Sequence, residues 1–397
     1  MICRKLWGGA FLVAGTSIGA ATLALPIATA AIGLFGTLVL FLLCWLVMLA
    51  SALMLLEVSI ASDKSDSFMS MAENTLGFYA KWVVAILYAI LLYSLMAAYL
   101  RGSGDLVHGL ANVFLSADLS PYLEPLPCAL FAAISLHFGA KCIDRLNSYM
   151  MYGLVMSFAV LVCSLLLVAS LHAATYSISF SFLSMLKLLP IAITAFGFQV
   201  IVPTLRHYMH KELDILPKAI TIGSLIPFVI YLIWSILIYM CMPTTGEFSL
   251  SALFTAKQPV VSLPIFLNAL YHNKIITSSI SIFAFFALAS SLLGISISLF
   301  DLLADKCSLK INNIRSYLII AVLLPPFLFA EFFPEGFLLA LKYAGIFVAL
   351  LNIFLPAIMV LKIRKNNKPA AFSAPVATRA IYATMMMALL IIVVSLL

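Results

Sequence analysis

The chain has 397 residues, of which 64% are hydrophobic and only 9% charged, with a net charge of +7. A soluble domain carries about 25% charged residues, so this chain cannot cover itself with a water-exposed surface. The composition excludes an ordinary soluble enzyme or a nucleic-acid-binding domain and leaves a polytopic membrane protein in contact with lipid.

A helix crossing the hydrocarbon core needs about 20 apolar residues. On that measure the spans fall near 6–30, 34–56, 82–100, 125–140, 146–171, 187–205, 217–242, 275–300, 317–333, 337–361 and 380–397, eleven in all. The first run follows Arg4 and Lys5 and reaches Ala28-Thr29-Ala30, a pattern shared with secretory leaders. Its length exceeds the 7–15 residues of a leader's apolar region, so it is expected to remain as a span. Polar segments separate the rest: Asp63 to Asp66, Pro121 to Pro127, His207 to Lys218, and Lys362 to Pro369. The seven cysteines show no CxxC or other ligand spacing, so neither a disulfide framework nor a metal site is expected. His207, His210 and Glu212 have ligand chemistry but read as solvated loop polarity.

Orientation follows Lys and Arg. With the N-terminus in the cytoplasm, the outer side receives only Arg101, Lys187, Lys257 and Lys274, and Lys342 falls inside the tenth span. The expected topology is therefore N-terminus cytoplasmic and C-terminus outside.

Spans 1 and 6 depart from simple membrane helices. Span 1 carries Gly15-Thr16-Ser17-Ile18-Gly19 followed by Pro26. Span 6 carries Thr194-Ala195-Phe196-Gly197-Phe198-Gln199 between Pro190 and Pro203. Small residues four apart ordinarily serve close helix packing. Two breaks in corresponding positions of two halves point instead to a transporter site. The expected fold is all-α, a five-plus-five inverted repeat with helices 1 and 6 broken. The first repeat covers residues 1–172, the second 185–365, and an extra helix 377–397.

A broken helix exposes backbone N–H groups with the positive dipole end at one half-helix and carbonyls at the other. That pair of surfaces suits a zwitterion, such as an amino acid, without any charged side chain. Gly15 to Gly19 and Ala195 to Gln199 are therefore the candidate binding segments, with Phe196 and Phe198 placed to grip an aromatic side chain. Tyr93 is a further candidate on span 3.

These stretches resemble the hydroxy and aromatic amino acid permease family. The resemblance rests on Gly15 to Ala20 with Leu23 to Pro26, Ala97-Ala98-Tyr99 with Gly102-Ser103-Gly104, and Phe196-Gly197-Phe198. It continues through Leu293-Gly294 to Asp305, Pro325-Pro326 and Tyr343-Ala344-Gly345. It implies the inverted-repeat fold of the amino acid, polyamine and organocation superfamily in a bacterial inner membrane. It also implies ion-coupled import of an aromatic amino acid by a monomer, tyrosine first, with tryptophan or phenylalanine as alternatives. No cofactor is expected beyond the coupling ion. Protons are the family's usual ion, yet span 5, where some proton-coupled relatives carry a Lys, has neither Lys nor Arg here. The vicinal hydroxyls Ser290-Ser291 match those that hold sodium in other superfamily members, so sodium stays open. Glu57, at the inner end of span 2, is the carboxylate candidate for a proton. A symporter of another small solute is the nearest alternative; an intramembrane acyltransferase using His137 would leave the paired breaks unexplained.

Overall fold

Hydrocarbon offers backbone groups no water, so a spanning segment must satisfy them within itself. Every regular element among the described residues is accordingly helical. The computed structural model describes residues 2–19, 21–62, 67–115, 124–169, 181–209, 213–256, 259–304, 314–333, 335–366 and 372–396.

Helix α1 (Ile2–Ser17) is followed by α2 (Ala21–Thr29), a 3-10 turn (Ala30–Ile32) and α3 (Gly33–Ala61). The short α4 (Phe68–Leu76) opens with a capping box between Ser67 and Ser70, and α5 (Phe78–Leu115) succeeds it. Next come α6 (Leu126–Phe138), α7 (Ala140–Val168) and α8 (Phe182–Ala195), then a 3-10 turn (Gln199–Ile201) and α9 (Val202–Tyr208). Helix α10 (Leu216–Cys241) leads through α11 (Leu250–Phe254) and α12 (Pro259–Tyr271) to α13 (Lys274–Ala304) and α14 (Ile314–Phe332). The chain closes with α15 (Gly336–Val348), a π turn (Ala349–Phe354), α16 (Leu355–Lys365) and α17 (Thr378–Leu396).

Among the described residues nine helical runs are long and apolar enough to cross a membrane. The difference from eleven has two causes. Helices α2 and α3 join into one run from Ala21 to Ala61. Helix α6, at 13 residues, reaches only about 20 Å at 1.5 Å per residue, less than the hydrocarbon thickness. It ends because Gly139 adopts φ +91°, a left-handed conformation that glycine takes without a Cβ penalty.

The breaks of the two interrupted helices lie among other helices, and α2 is buried throughout. Helix α1 packs against α10, α2 against α8, and α15 against both α5 and α8. The approaches are close: a Cβ at Gly223 of α10 would lie 2.6 Å from the Ala10 carbonyl, and one at Gly345 of α15 would lie 2.3 Å from that of Pro190. The periphery instead exposes large apolar side chains such as Phe11, Tyr152 and Leu167, as lipid contact requires.

One charge stands apart from its expected place. Arg101, read from the sequence as an outer-side residue, is fully buried. Its guanidinium donates to Asp105 at 2.6 Å and to Glu124, and Glu124 in turn lies 2.9 Å from His108 Nδ1. Burial of a charge is tolerated only with such partners.

Candidate functional site

The interruptions in α1–α2 and α8–α9 face one another across a cavity. Glycine and hydroxyl residues are weak helix formers, the latter because their side chains compete for backbone groups. Thr16 Oγ1 donates to the Val13 carbonyl at 2.7 Å, and Thr194 Oγ1 donates to that of Ile191 at 2.6 Å. Each such turn immediately precedes a break. Helix α1 stops at Ser17, and α8 stops at Ala195 ahead of Phe196–Phe198.

Tyr231 of α10 ties the two ends together. Its hydroxyl lies 2.6 Å from the Ser17 carbonyl and 2.9 Å from the Ala195 carbonyl. One proton is thus shared by the last carbonyls of both half-helices. The sequence reading expected carbonyls at these ends to be open for an ammonium group or a cation. These two are occupied by the phenol.

The cavity measures about 350 Å³, within the usual range for small-ligand sites. Gly15, Thr16, Ser17, Ile18 and Gly19 form one wall, and Thr194 and Gly197 form the facing one. Tyr88 and Tyr99 of α5, Met151 of α7 and Ser290, Ser291 and Gly294 of α13 complete much of the rest. Among the described residues its lining carries no charged side chain. Charge complementarity for a ligand therefore has to come from helix ends and amide or hydroxyl dipoles. Gly19 is needed for clearance: a Cβ there would meet Ser291 Oγ at 2.4 Å. Ser290 Oγ donates to the Ala287 carbonyl at 3.2 Å, which uses its proton and leaves its lone pairs available to a cation.

Several sequence candidates lie elsewhere. Phe196 is buried in an aromatic group, edge-on to Tyr231 with centroids 5.2 Å apart and 6.0 Å from Phe41. Phe198 is likewise buried, and neither ring lines the cavity. The turn at the break puts Gly197 inward, while both flanking rings pack into the core. Ala195 is fully buried and meets Tyr231 through its carbonyl. Gln199 is buried too, with Nε2 donating to the Met48 carbonyl of α3 at 3.1 Å. Tyr93 donates to the Ala321 carbonyl at 2.8 Å. That carbonyl lies four residues before Pro325, which has no N–H to offer it, so Tyr93 fills a vacancy left by a proline.

Glu57 is also outside the cavity lining. Arg364 grips it with Nε at 2.9 Å and Nη2 at 2.7 Å, and the Ala374 N–H donates to it at 2.8 Å. The same guanidinium reaches the carbonyls of Ala374 and Val376. The carboxylate is thus part of a clasp joining α3, α16 and the segment before α17. His137 is exposed at the end of α6, and His210 and Glu212 lie outside the described residues.

Sequence reasoning overlooked Tyr231 and the cavity-lining amides Asn147 and Asn352. Asn352 had a visible signal, as a polar group inside an apolar run, whereas Asn147 sits beside Asp144, Arg145 and Ser148. Tyr231 had none, since nothing local distinguishes it from an ordinary membrane-helix tyrosine.

The profile of the tryptophan/tyrosine permease family matches residues 3–395. The chain belongs to that family. This family member is 32% identical over 376 residues to the tyrosine-specific transport system 2 of Haemophilus influenzae, covering 92% of the chain and 90% of the relative. It is 29% identical over 381 residues to the tryptophan-specific transport protein of Pseudomonas aeruginosa, covering 95% and 91%. A more distant relative, glutamine transporter 2 of Aliivibrio fischeri, is 27% identical over 375 residues, covering 91% and 90%. With its apolar helical runs, this permease-family member is an integral membrane protein.

Proposed function

We propose that the chain is an ion-coupled secondary importer of an aromatic amino acid, with tyrosine or tryptophan as substrate. The observation that carries this is the pair of helix breaks, distant in sequence, that meet at one uncharged cavity and share the Tyr231 hydroxyl. The substrate carboxylate would sit at the N-terminal end of α2, where helix dipole and backbone N–H groups converge. The ring would lie against Tyr88, Tyr99, Leu92 and Met151. Alternating access would rock the interrupted helices against the surrounding ones about this fixed site. The proposed framework is eleven spans in two inverted sets of five, with the N-terminus in the cytoplasm, C-terminus outside, in the bacterial inner membrane as a monomer. Ser290 and Ser291 would hold a coupling sodium ion beside Gly19; a proton is the other ion the family resemblance implies.

A second reading, import of another neutral amino acid, is favoured by the relative named as a glutamine transporter. Uptake of labelled tyrosine, tryptophan and glutamine into proteoliposomes, under imposed proton or sodium gradients, separates the readings. Accumulation of an aromatic amino acid under one gradient supports the first. Accumulation of glutamine alone replaces it with the second, and no accumulation of any of them removes both.

A further inference from the structure

The tenth-span region contains one irregularity that the breaks in α1–α2 and α8–α9 do not account for. Between α15 and α16 the helix widens into a π turn over Ala349–Phe354, with the Leu355 N–H bonded to the Leu350 carbonyl five residues back. Such turns cost packing regularity and recur at functional sites. Pro356 follows, and its missing N–H leaves the Asn352 carbonyl, four residues earlier, without a helical donor. Ser51 of α3 supplies that donor through its hydroxyl. The Asn352 backbone is therefore held from a second helix, independently of its side chain.

The side chain is free to do something else. Asn352 is only 8% exposed, yet its amide makes no hydrogen bond among the described residues, and it lines the cavity. It stands over the second break, where a Cβ on Gly197 would come 3.7 Å from Nδ2. One helical turn earlier, Val348 lines the same wall, so the amide borders an apolar surface. The α2 N-terminus serves the carboxylate, and the apolar border that Val348 gives the amide suits a ring better than an ammonium group. What an amide can do is pair with a neutral polar group: it donates and accepts at once.

We infer that Asn352 reads the polar edge of the substrate's ring, the phenol hydroxyl of tyrosine or the indole N–H of tryptophan, and so discriminates against phenylalanine. The inference rests on the proposed aromatic import and deepens it. A phenyl ring would bury the amide without a partner, and sites built around a hydrogen bond reject analogues that lack it far more strongly than apolar pockets reject size variants. The discrimination expected is roughly tenfold or more.

The test is competition of labelled tyrosine or tryptophan uptake by unlabelled tyrosine, tryptophan and phenylalanine. It compares wild type with Asn352→Leu, which matches the volume without the amide, and Asn352→Gln, which keeps it. Asn352→Ala, which adds no bulk, is read in the same way should the leucine variant be poorly inserted. In wild type, phenylalanine should compete at a concentration roughly tenfold or more higher than the polar-edged substrates. In the leucine and alanine variants that gap should close to within about threefold, with phenylalanine gaining; in the glutamine variant part of it should remain. A wild-type gap that persists in both variants, at equal membrane levels, overturns the inference while leaving aromatic import standing. Absence of any aromatic uptake by wild type removes the functional reading, and the inference with it.

Discussion

Tyr231→Phe deletes one oxygen and leaves the ring. The aromatic packing survives, since the edge-on contact with Phe196 at 5.2 Å and the approach to Phe41 at 6.5 Å involve carbons alone. The Ser17 and Ala195 carbonyls, now 2.6 and 2.9 Å from the hydroxyl, lose their shared donor. A buried acceptor left without a partner costs about 1–3 kcal/mol. Because one proton serves both carbonyls, a single such cost is the appropriate figure rather than twice it. If that cost falls on the conformation in which the two breaks face a common cavity, apparent substrate affinity drops by about 5- to 150-fold. Concentration-dependent uptake in proteoliposomes measures this, with thermal melting of the detergent-solubilised protein as the structural control. Affinity within twofold of wild type, with unchanged melting, would refute the idea that the hydroxyl holds the half-helices in register.

Gly19→Ala should lower uptake without preventing membrane insertion, because the added methyl meets Ser291 Oγ at 2.4 Å and that hydroxyl must turn away from its place at the cavity. Adding Ser291→Ala should restore part of the activity by making room, and a double variant no better than the single one speaks against that contact. Glu57→Gln weakens the clasp with Arg364 by removing its negative charge, a loss below the roughly 3–5 kcal/mol of a fully buried pair because the Arg364 side chain is 27% exposed. The expected outcome is a lower melting temperature with the gradient dependence of uptake preserved; loss of proton-driven uptake in a protein of normal stability would instead return Glu57 to the role of proton carrier.

Helical class, the boundaries of most long helices and the positions of both interruptions could be read from the sequence, because each depends on local chemistry. Apolar run length sets the helices, and Gly, Thr and Ser just before a break set the interruptions. The failures concern partners far away in sequence. Tyr93 looked like a ligand because the carbonyl it caps was orphaned by Pro325 in another helix. Glu57 looked like a proton carrier because the guanidinium that pairs with it lies 307 residues away. Phe196 and Phe198 flank the glycine that lines the cavity, yet which of three consecutive residues faces inward depends on the turn geometry, which composition does not encode. Asn352 could have been flagged as an amide in an apolar run; its anchoring by Ser51, 301 residues distant, could not.

The central claim is that the cavity between the two breaks is where the substrate binds. Gly294 offers the cleanest perturbation, because it lines the cavity and a Cβ built on it meets nothing within 4 Å. Gly294→Phe should therefore fill the site without disturbing the wall behind it. Equilibrium binding of labelled tyrosine and tryptophan to the purified protein is the direct measurement. The account predicts saturable binding by wild type and its loss in a Gly294→Phe protein that melts at the wild-type temperature. Undiminished binding in that variant would place the substrate somewhere else.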